Sequence, residues 1–393
     1  MREFIALMAA LMASNAIAID TMLPALPAIG AALDVAEENR RQLVITSYLL
    51  GFGAGQLFYG PLSDRFGRKA LLVGSLLFYG IFALLSGIAA SFTLLLAARA
   101  LQGVAAAGTR VLVISIIRDR YEGTAMARVM SLVMIVFMIV PVLAPAFGQA
   151  IIALGNWRQI FILLAVYSTI LLTWTALRMP ETLPRERRRA LSFGAIGSAV
   201  ATILKTRQSI GNTIVLTCAI GALFAFINSV QQIVSDFYGR PEMLALVFAL
   251  IAGPMAISSY ANSRLVRLYG PRRILLRALI GFSAISFLHL VSMEWIGTSL
   301  VTFIIIQSAT MACFGLMGAN ASALAMGPLG HIAGTASSVQ GVITTVGGAL
   351  IGLAIGQSFD GTPLALLLGF PLLGAIGFAF ALWANPRQAE TAA

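Results

Sequence analysis

Twelve stretches of about 20 apolar residues, separated by short polar turns, limit what this chain can fold into more than any other feature. They fall near 4–26, 43–60, 70–90, 93–117, 128–152, 157–178, 210–234, 243–262, 274–292, 297–320, 334–356 and 363–384. A run of that length suits an α-helix crossing the hydrocarbon layer of a membrane. Inside that layer the backbone must satisfy its own hydrogen bonds, and runs this long without period-two alternation exclude a barrel. Each run is therefore expected to be a helix, and the fold class an all-α membrane protein. Composition agrees: 59% of the 393 residues are hydrophobic and 10% charged, where a soluble domain carries about 25% charged.

The formal charge of +11 would point a soluble domain toward nucleic acid. Here the basic residues lie between apolar runs, so no nucleic-acid partner is expected and the lipid bilayer is. With a cytoplasmic N-terminus, that side holds Arg2, Arg65, Arg68, Lys69, Arg118, Arg120, Arg128, the group from Arg178 through Arg189 to Lys205 and Arg207, Arg264 to Arg277, and Arg387. The other side holds only Arg40, Arg41, Arg158 and Arg240. About twenty against four places both termini in the cytoplasm. A signal peptide cut after Ala16-Ile17-Ala18 would leave eleven spans and break this alternation, so the first run is read as a span.

The longest polar interruption runs from Arg178 to Arg207, with Pro180, Pro184 and the cluster Arg185 to Arg189. It is expected to be a solvated cytoplasmic linker, its arginines anchoring to headgroups. The expected units are a six-helix bundle over 1–178, a linker over 179–208 and a second bundle over 209–393. An internal repeat supports the division. Ser63–Lys69 reads SDRFGRK and Val266–Arg272 reads VRLYGPR, 203 residues later, with Gly67 and Gly270 in register. Duplicated bundles of this kind build transporters with a site near mid-membrane between the halves.

Several motifs carry a family resemblance. Gly60 to Lys69 reads GPLSDRFGRK, Arg99 to Gly103 reads RALQG, and Asp20 to Pro27 reads DTMLPALP. To these add Arg118-Asp119, Leu143-Ala144-Pro145 with Gly148, Trp157-Arg158 and Pro180 to Leu183. Over essentially its whole length the chain resembles the major facilitator superfamily, and within it the drug:proton antiporters of the bicyclomycin-resistance (Bcr/CflA) type. That resemblance implies two pseudo-symmetric six-helix bundles, a monomer in a bacterial inner membrane, and export of drug-like molecules by alternating access in exchange for protons. It also implies that the loop of Gly60, Asp64, Arg65, Gly67, Arg68 and Lys69 is a gate latch favouring the cytoplasmically closed state. Ala144-Pro145 stands where the antiporter motif usually has Gly-Pro, and Asp20 is the single acid of a first helix that in some relatives carries two.

Read for their own chemistry, the ionisable groups well inside the spans are Asp20, Arg99 and Arg110, with His289 near a span end. A charge at depth costs about 2.5–3.5 kcal/mol, which makes an intramembrane acid a functional candidate. Asp20 and Arg99 each lie about 9 Å below the outer surface by helical rise, so they could meet. Paired with Arg99 the acid would be ionised, and in an apolar cavity neutral. Two readings stand: a proton switch in which Asp20 exchanges a proton for a cationic or polar substrate, or a fixed ion pair pinning the first helix to the fourth. Arg110 shares a helix face with Arg99 and reads either as lining the cytoplasmic mouth of a cavity or as an arginine snorkelling toward the interface.

In the Gly60–Lys69 loop, Gly60-Pro61 is expected to end the second helix, Gly67 to allow a tight turn, and Asp64 to sit near the start of the third helix and bond across to the other half. A plain topology anchor would not need Gly60, Asp64 and Gly67. Pro141, Pro145 and Gly148 are expected to kink the fifth helix and admit a close neighbour. Tyr48, Gln56, Phe224, Asn228, Gln231 and Gln232 are the candidates for a mixed aromatic and amide substrate cavity, each also compatible with ordinary helix packing.

Cys218 and Cys313 sit in apolar runs without a nearby His, and His289 and His331 lack partners at ligand spacing. No metal, disulfide or cofactor is expected. With no G-x-x-x-x-G-K sequence to hold ATP, the proton gradient is the expected energy source. The same scaffold could instead carry a sugar or other metabolite in either direction. An enzyme would lack a nucleophile-base pair or metal cluster, and a non-transporting receptor would be expected to carry a soluble module that is missing here.

Overall fold

The computed structural model describes residues 2–188, 193–295 and 299–386. Arg189 and Arg387, counted above for topology, lie outside them, as does the side chain of His331. Among the described residues all regular structure is helical. The helices are α1 (Arg2–Asp20), α2 (Leu26–Ala32), α3 (Leu43–Phe66), α4 (Arg68–Gly87), α5 (Phe92–Arg120), α6 (Gly123–Leu154) and α7 (Arg158–Arg178). After α8 (Phe193–Lys205) come α9 (Arg207–Gln232), α10 (Leu244–Trp295), α11 (Leu300–Met326), α12 (Ala333–Gln357) and α13 (Leu364–Ala384).

Eleven helical stretches among the described residues are long and apolar enough to cross a membrane. One of them, α10, has 52 residues, about 78 Å at 1.5 Å per residue, against a hydrocarbon layer of about 30 Å. It breaks at Gly270, so it makes two crossings and the total is twelve. Large apolar side chains such as Phe78, Ile170, Ile257, Ile305 and Leu372 are exposed on the outside of the bundle. A soluble monomer avoids such continuous apolar surface, whereas lipid accepts it.

The first six crossings pack mainly on one another, as do the last six; the halves meet where α3 lies on α12 and α6 lies on α10. The repeat extends to backbone conformation. Gly67 has φ 97° and ψ 159°, and Gly270 has φ 74° and ψ 156°. A side chain rarely tolerates this region, so glycine lets each half break two consecutive helices at the same place.

Four local expectations are corrected. Helix α3 does not end at Gly60-Pro61 but continues through Pro61 to Phe66; the lost donor costs one bond, and the stop comes from Gly67. Asp64 therefore occupies the last turn of α3, not the start of the next helix. The first crossing outlasts α1: a 3-10 turn at Leu23–Ala25 leads into α2, with Pro24 and Pro27 in first-turn positions where no donor is lost. Asp20 thus lies twelve residues before the end of that crossing, Ala32, and deeper than expected. Finally, the linker contains α8, whose Ala199 and Ile203 are buried against Leu329, Ala336 and Val339. Apolar residues four apart on one helix face explain why this segment leaves solvent.

Candidate functional site

Close packing of small residues sets the frame. A Cβ on Gly103 would collide with the carbonyl oxygen of Tyr48, and one on Gly51 with that of Ala100, so α3 and α5 touch backbone to backbone. This contact places the buried Arg99 of α5 against Tyr48, its guanidinium carbon 4.4 Å from the ring centre. Arg99 Nη1 donates to Gln102 Oε1 at 2.8 Å, Nε to Val44 O at 3.2 Å and Nη2 to Ala18 O at 3.0 Å. The RALQG motif is thereby accounted for: Arg99 ties three helices, Gln102 accepts from it, and Gly103 makes room.

Asp20 is not among the partners of Arg99. The carboxyl is 3% exposed and makes no hydrogen bond or ion pair among the described residues. The expected meeting of Asp20 and Arg99 is not made in this conformation, because the guanidinium is occupied by main-chain oxygens of α1 and α3. Beneath it, Tyr48 Oη donates to Asn15 Oδ1 at 2.9 Å and Asn15 Nδ2 to Thr109 Oγ1 at 3.0 Å. Tyr48 is therefore a fully buried strut and does not line a cavity.

A cavity of about 760 Å³ lies between the halves. Gln56, Arg110, Gln340 and Thr344 line it, and Asp64, Arg68, Arg118 and Asp119 stand at its mouth on the face that carries the basic loops. Arg110 thus belongs to the cavity, about 15 Å from the basic end of α5 by helical rise. Gln56 spans the cleft, its Nε2 donating to Thr345 Oγ1 on α12 at 3.2 Å.

The opposite face is closed by amides. Asn39 Nδ2 donates to Gln357 O at 3.0 Å and Phe359 O at 2.7 Å, and Gln357 Nε2 returns a bond to Asn39 O at 2.6 Å. Gln42 donates to Gln232 and to Gly356 O, while Gln232 donates to Asn39 Oδ1 at 2.8 Å. Deeper in, Asn228 Nδ2 reaches Thr46 Oγ1 at 3.4 Å. Gln232 and Asn228 thus belong to the seal, Phe224 and Gln231 are buried beside them, and only Gln56 and Arg110 of the seven cavity candidates line the open space. A linear sequence does not say which side is open, so α9 residues that could face a cavity in one state are read the same when it is shut.

The charged turn is held wholly within the first half. Arg68 pairs with Asp64 at 2.7 Å and Asp119 at 3.1 Å, and also bonds Ser63. Glu181 accepts from the backbone N–H of Arg68 at 2.9 Å and Lys69 at 3.3 Å, capping α4 just beyond Gly67. Thr182 donates its hydroxyl to Asp119 at 3.1 Å. The expected bonds across to the second half are not made among the described residues, although a Cβ on Gly60 would lie 3.3 Å from Ser338 Oγ of α12. Arg65 stacks on its neighbour Phe66. On α6 the helix runs unbroken through Pro141 and Pro145, and a Cβ at Gly148 would strike the carbonyl of Thr21. Gly148 thus lets α6 lie against the residue after Asp20.

Sequence reading missed Asp119 and Glu181 as partners of Arg68, although their motifs had been noted, and missed Asn39, Gln42, Gln340 and Gln357. For Gln340 an amide inside a membrane run was the available signal, since it must find a partner there; Asn39, Gln42 and Gln357 flank their runs and gave none.

Twelve crossings in two related halves around a central cavity are the frame of a membrane transporter. The profile of the Major Facilitator Superfamily matches residues 8–352, and the chain belongs to that family. It is 29% identical over 340 residues to the bicyclomycin resistance protein homolog of Haemophilus influenzae, covering 85% of this chain and 84% of the relative. It is 27% identical over 398 residues to the multidrug resistance protein MdtL of Salmonella heidelberg, covering 99% and 98%. Its fold is similar to the crystal structure of a D-xylose-proton symporter, with a TM-score of 0.75 at 14% identity over 98% of this chain and 97% of the other.

Proposed function

We propose that this chain exports amphipathic small molecules from a bacterial cytoplasm in exchange for protons, as a monomer in the inner membrane with both termini cytoplasmic. The observation that carries the proton half is Asp20: a carboxyl buried in a low-dielectric interior with no partner is stable there only when uncharged. In the present state the cavity opens on the basic face and Asp20 holds its proton. Cargo binding displaces that proton to the cytoplasm, the halves rock with cargo aboard, and Asp20 takes up a proton from the opposite face before they return, so proton and cargo move in opposite directions. Arg99, bonded to Ala18 O, links the end of α1 to α3 and α5, so movement at Asp20 is passed to the helices that border the cavity.

The turn Gly60–Lys69 latches the halves in the other state. Gly60 already faces Ser338, and Asp64 stands at the mouth of the cavity toward α12. Two relatives named for drug resistance support the drug-like cargo. The test is reconstitution into liposomes with an imposed pH gradient and a panel of amphipathic compounds. Cargo added on one side should dissipate the gradient, and the gradient should drive cargo uphill. Cargo flux that ignores the gradient would overturn the reading.

A further inference from the structure

We propose that the cargo presents an anionic group, such as a carboxylate, to Arg110. The inference deepens the transport reading and rests on it, since it assumes that the cavity is where cargo binds. It departs from the cationic or polar substrate expected from the sequence.

The charges around the cavity are unequally paired. Asp64 and Asp119 both bind Arg68, which leaves Arg118 to balance the second carboxylate at the mouth. Arg110, deeper by two turns of α5, makes no hydrogen bond or ion pair among the described residues, and its guanidinium meets only the ring of Phe52, at 5.9 Å. Five N–H donors and a full positive charge therefore face the open space of the cavity, to which the side chain is exposed.

Gln340 is a second, independent observation. It is 5% exposed and lines the same cavity, and its Nε2 is buried with no acceptor. A buried donor without a partner is costly, and here it lies enclosed in the cavity wall. Among the described residues the group that faces the open space is the guanidinium, and both are donors. An acceptor oxygen carrying negative charge satisfies the guanidinium, with which it can form two parallel bonds. A cation would meet Arg110 with repulsion. Leu57, Val111, Ile114 and Leu216 supply the apolar wall that an amphipathic anion needs.

The experiment uses the full chain in lipid nanodiscs with Cys218→Ser and Cys313→Ser, and Ser115→Cys as a reporter on the cavity wall. Three probes with one ring system are compared: 1-naphthoate, 1-naphthamide and 1-naphthylmethylammonium. Each is scored by the concentration that halves labelling of the reporter by a neutral maleimide. The naphthoate is expected to protect at a concentration at least tenfold lower than the ammonium compound. Arg110→Gln should remove that preference and Arg110→Lys should keep most of it. Equal protection by anion and cation, a preference unchanged in Arg110→Gln, or no protection by any probe up to its solubility would each overturn the proposal. Because the readout is occupancy and not flux, a failed proton-coupling assay leaves this result standing, and the reverse.

Discussion

Arg99 Nη2 donates to the main-chain oxygen of Ala18 at 3.0 Å, two residues short of Asp20, whose carboxyl has no partner among the described residues. The buried cation and the buried acid of the first half are therefore neighbours in sequence register but not an ion pair. If Asp20 is the proton carrier, Asp20→Asn should retain folding and cargo occupancy while losing gradient-driven transport. Cargo exchange without a gradient, measured with labelled substrate in liposomes, should persist within a few-fold. Uphill transport at the normal rate by this variant would remove Asp20 from the mechanism.

Gly103→Ala should strike the Tyr48 carbonyl and push α3 from α5. Overpacking of this kind costs about 1–3 kcal/mol, and it loosens the cradle of Arg99. Thermal unfolding in mild detergent should show a lowered midpoint, with Gly253→Ala as the control, since a Cβ there meets open space.

The seal on the face opposite the basic loops uses Gln232 twice, as acceptor from Gln42 and as donor to Asn39. Gln232→Ala removes both bonds, about 1 kcal/mol each, and should shift the balance toward the state open on that face by roughly thirtyfold. Spin labels at Glu38→Cys and Asp360→Cys, with the native cysteines replaced, should report a longer distance population that is minor in the parent.

Glu181→Ala uncovers the first amides of α4. Loss of a helix cap costs about 0.5–2 kcal/mol, and the Arg68 and Lys69 amides should exchange with deuterium faster while amides in mid-α4 stay protected.

Asp64→Asn leaves Arg68 bound to Asp119, so the fold should hold with little change in unfolding midpoint. As a member of the latch, the variant should change the transport rate several-fold. An unaltered rate would mean that Asp64 serves only its own turn.

Much of this architecture was legible in the sequence because bilayer thickness sets a length and backbone satisfaction sets a conformation. Both act on any apolar run whatever its tertiary partners. Gly67 and Gly270 could be matched for a similar reason, since positive φ is a local demand. Arg110 was read as lining a cavity mouth or snorkelling toward the interface, and in this structure it lines the cavity about two turns inside Arg118. What could not be read was the state. Tyr48, Asn228, Gln231 and Gln232 are polar groups in apolar runs, and whether such a group faces a cavity or a partner helix depends on how the halves are tilted. Asp20 and Arg99 were placed at equal depth from helical rise, and the bond from Arg99 to Ala18 O keeps them within about one turn of each other, but rise could not show that α1 stops at Asp20 and the crossing goes on to Ala32. Nor could rise show that main-chain oxygens would claim the guanidinium first.

The closure on the opposite face is built from side-chain and main-chain amides, which carry dipoles but no net charge. Dissolved salt screens interactions between ions and has little hold on neutral dipoles at hydrogen-bonding distance, and primary amides do not titrate in any physiological range. A barrier fastened in this way is expected to hold in brackish or acidified surroundings alike.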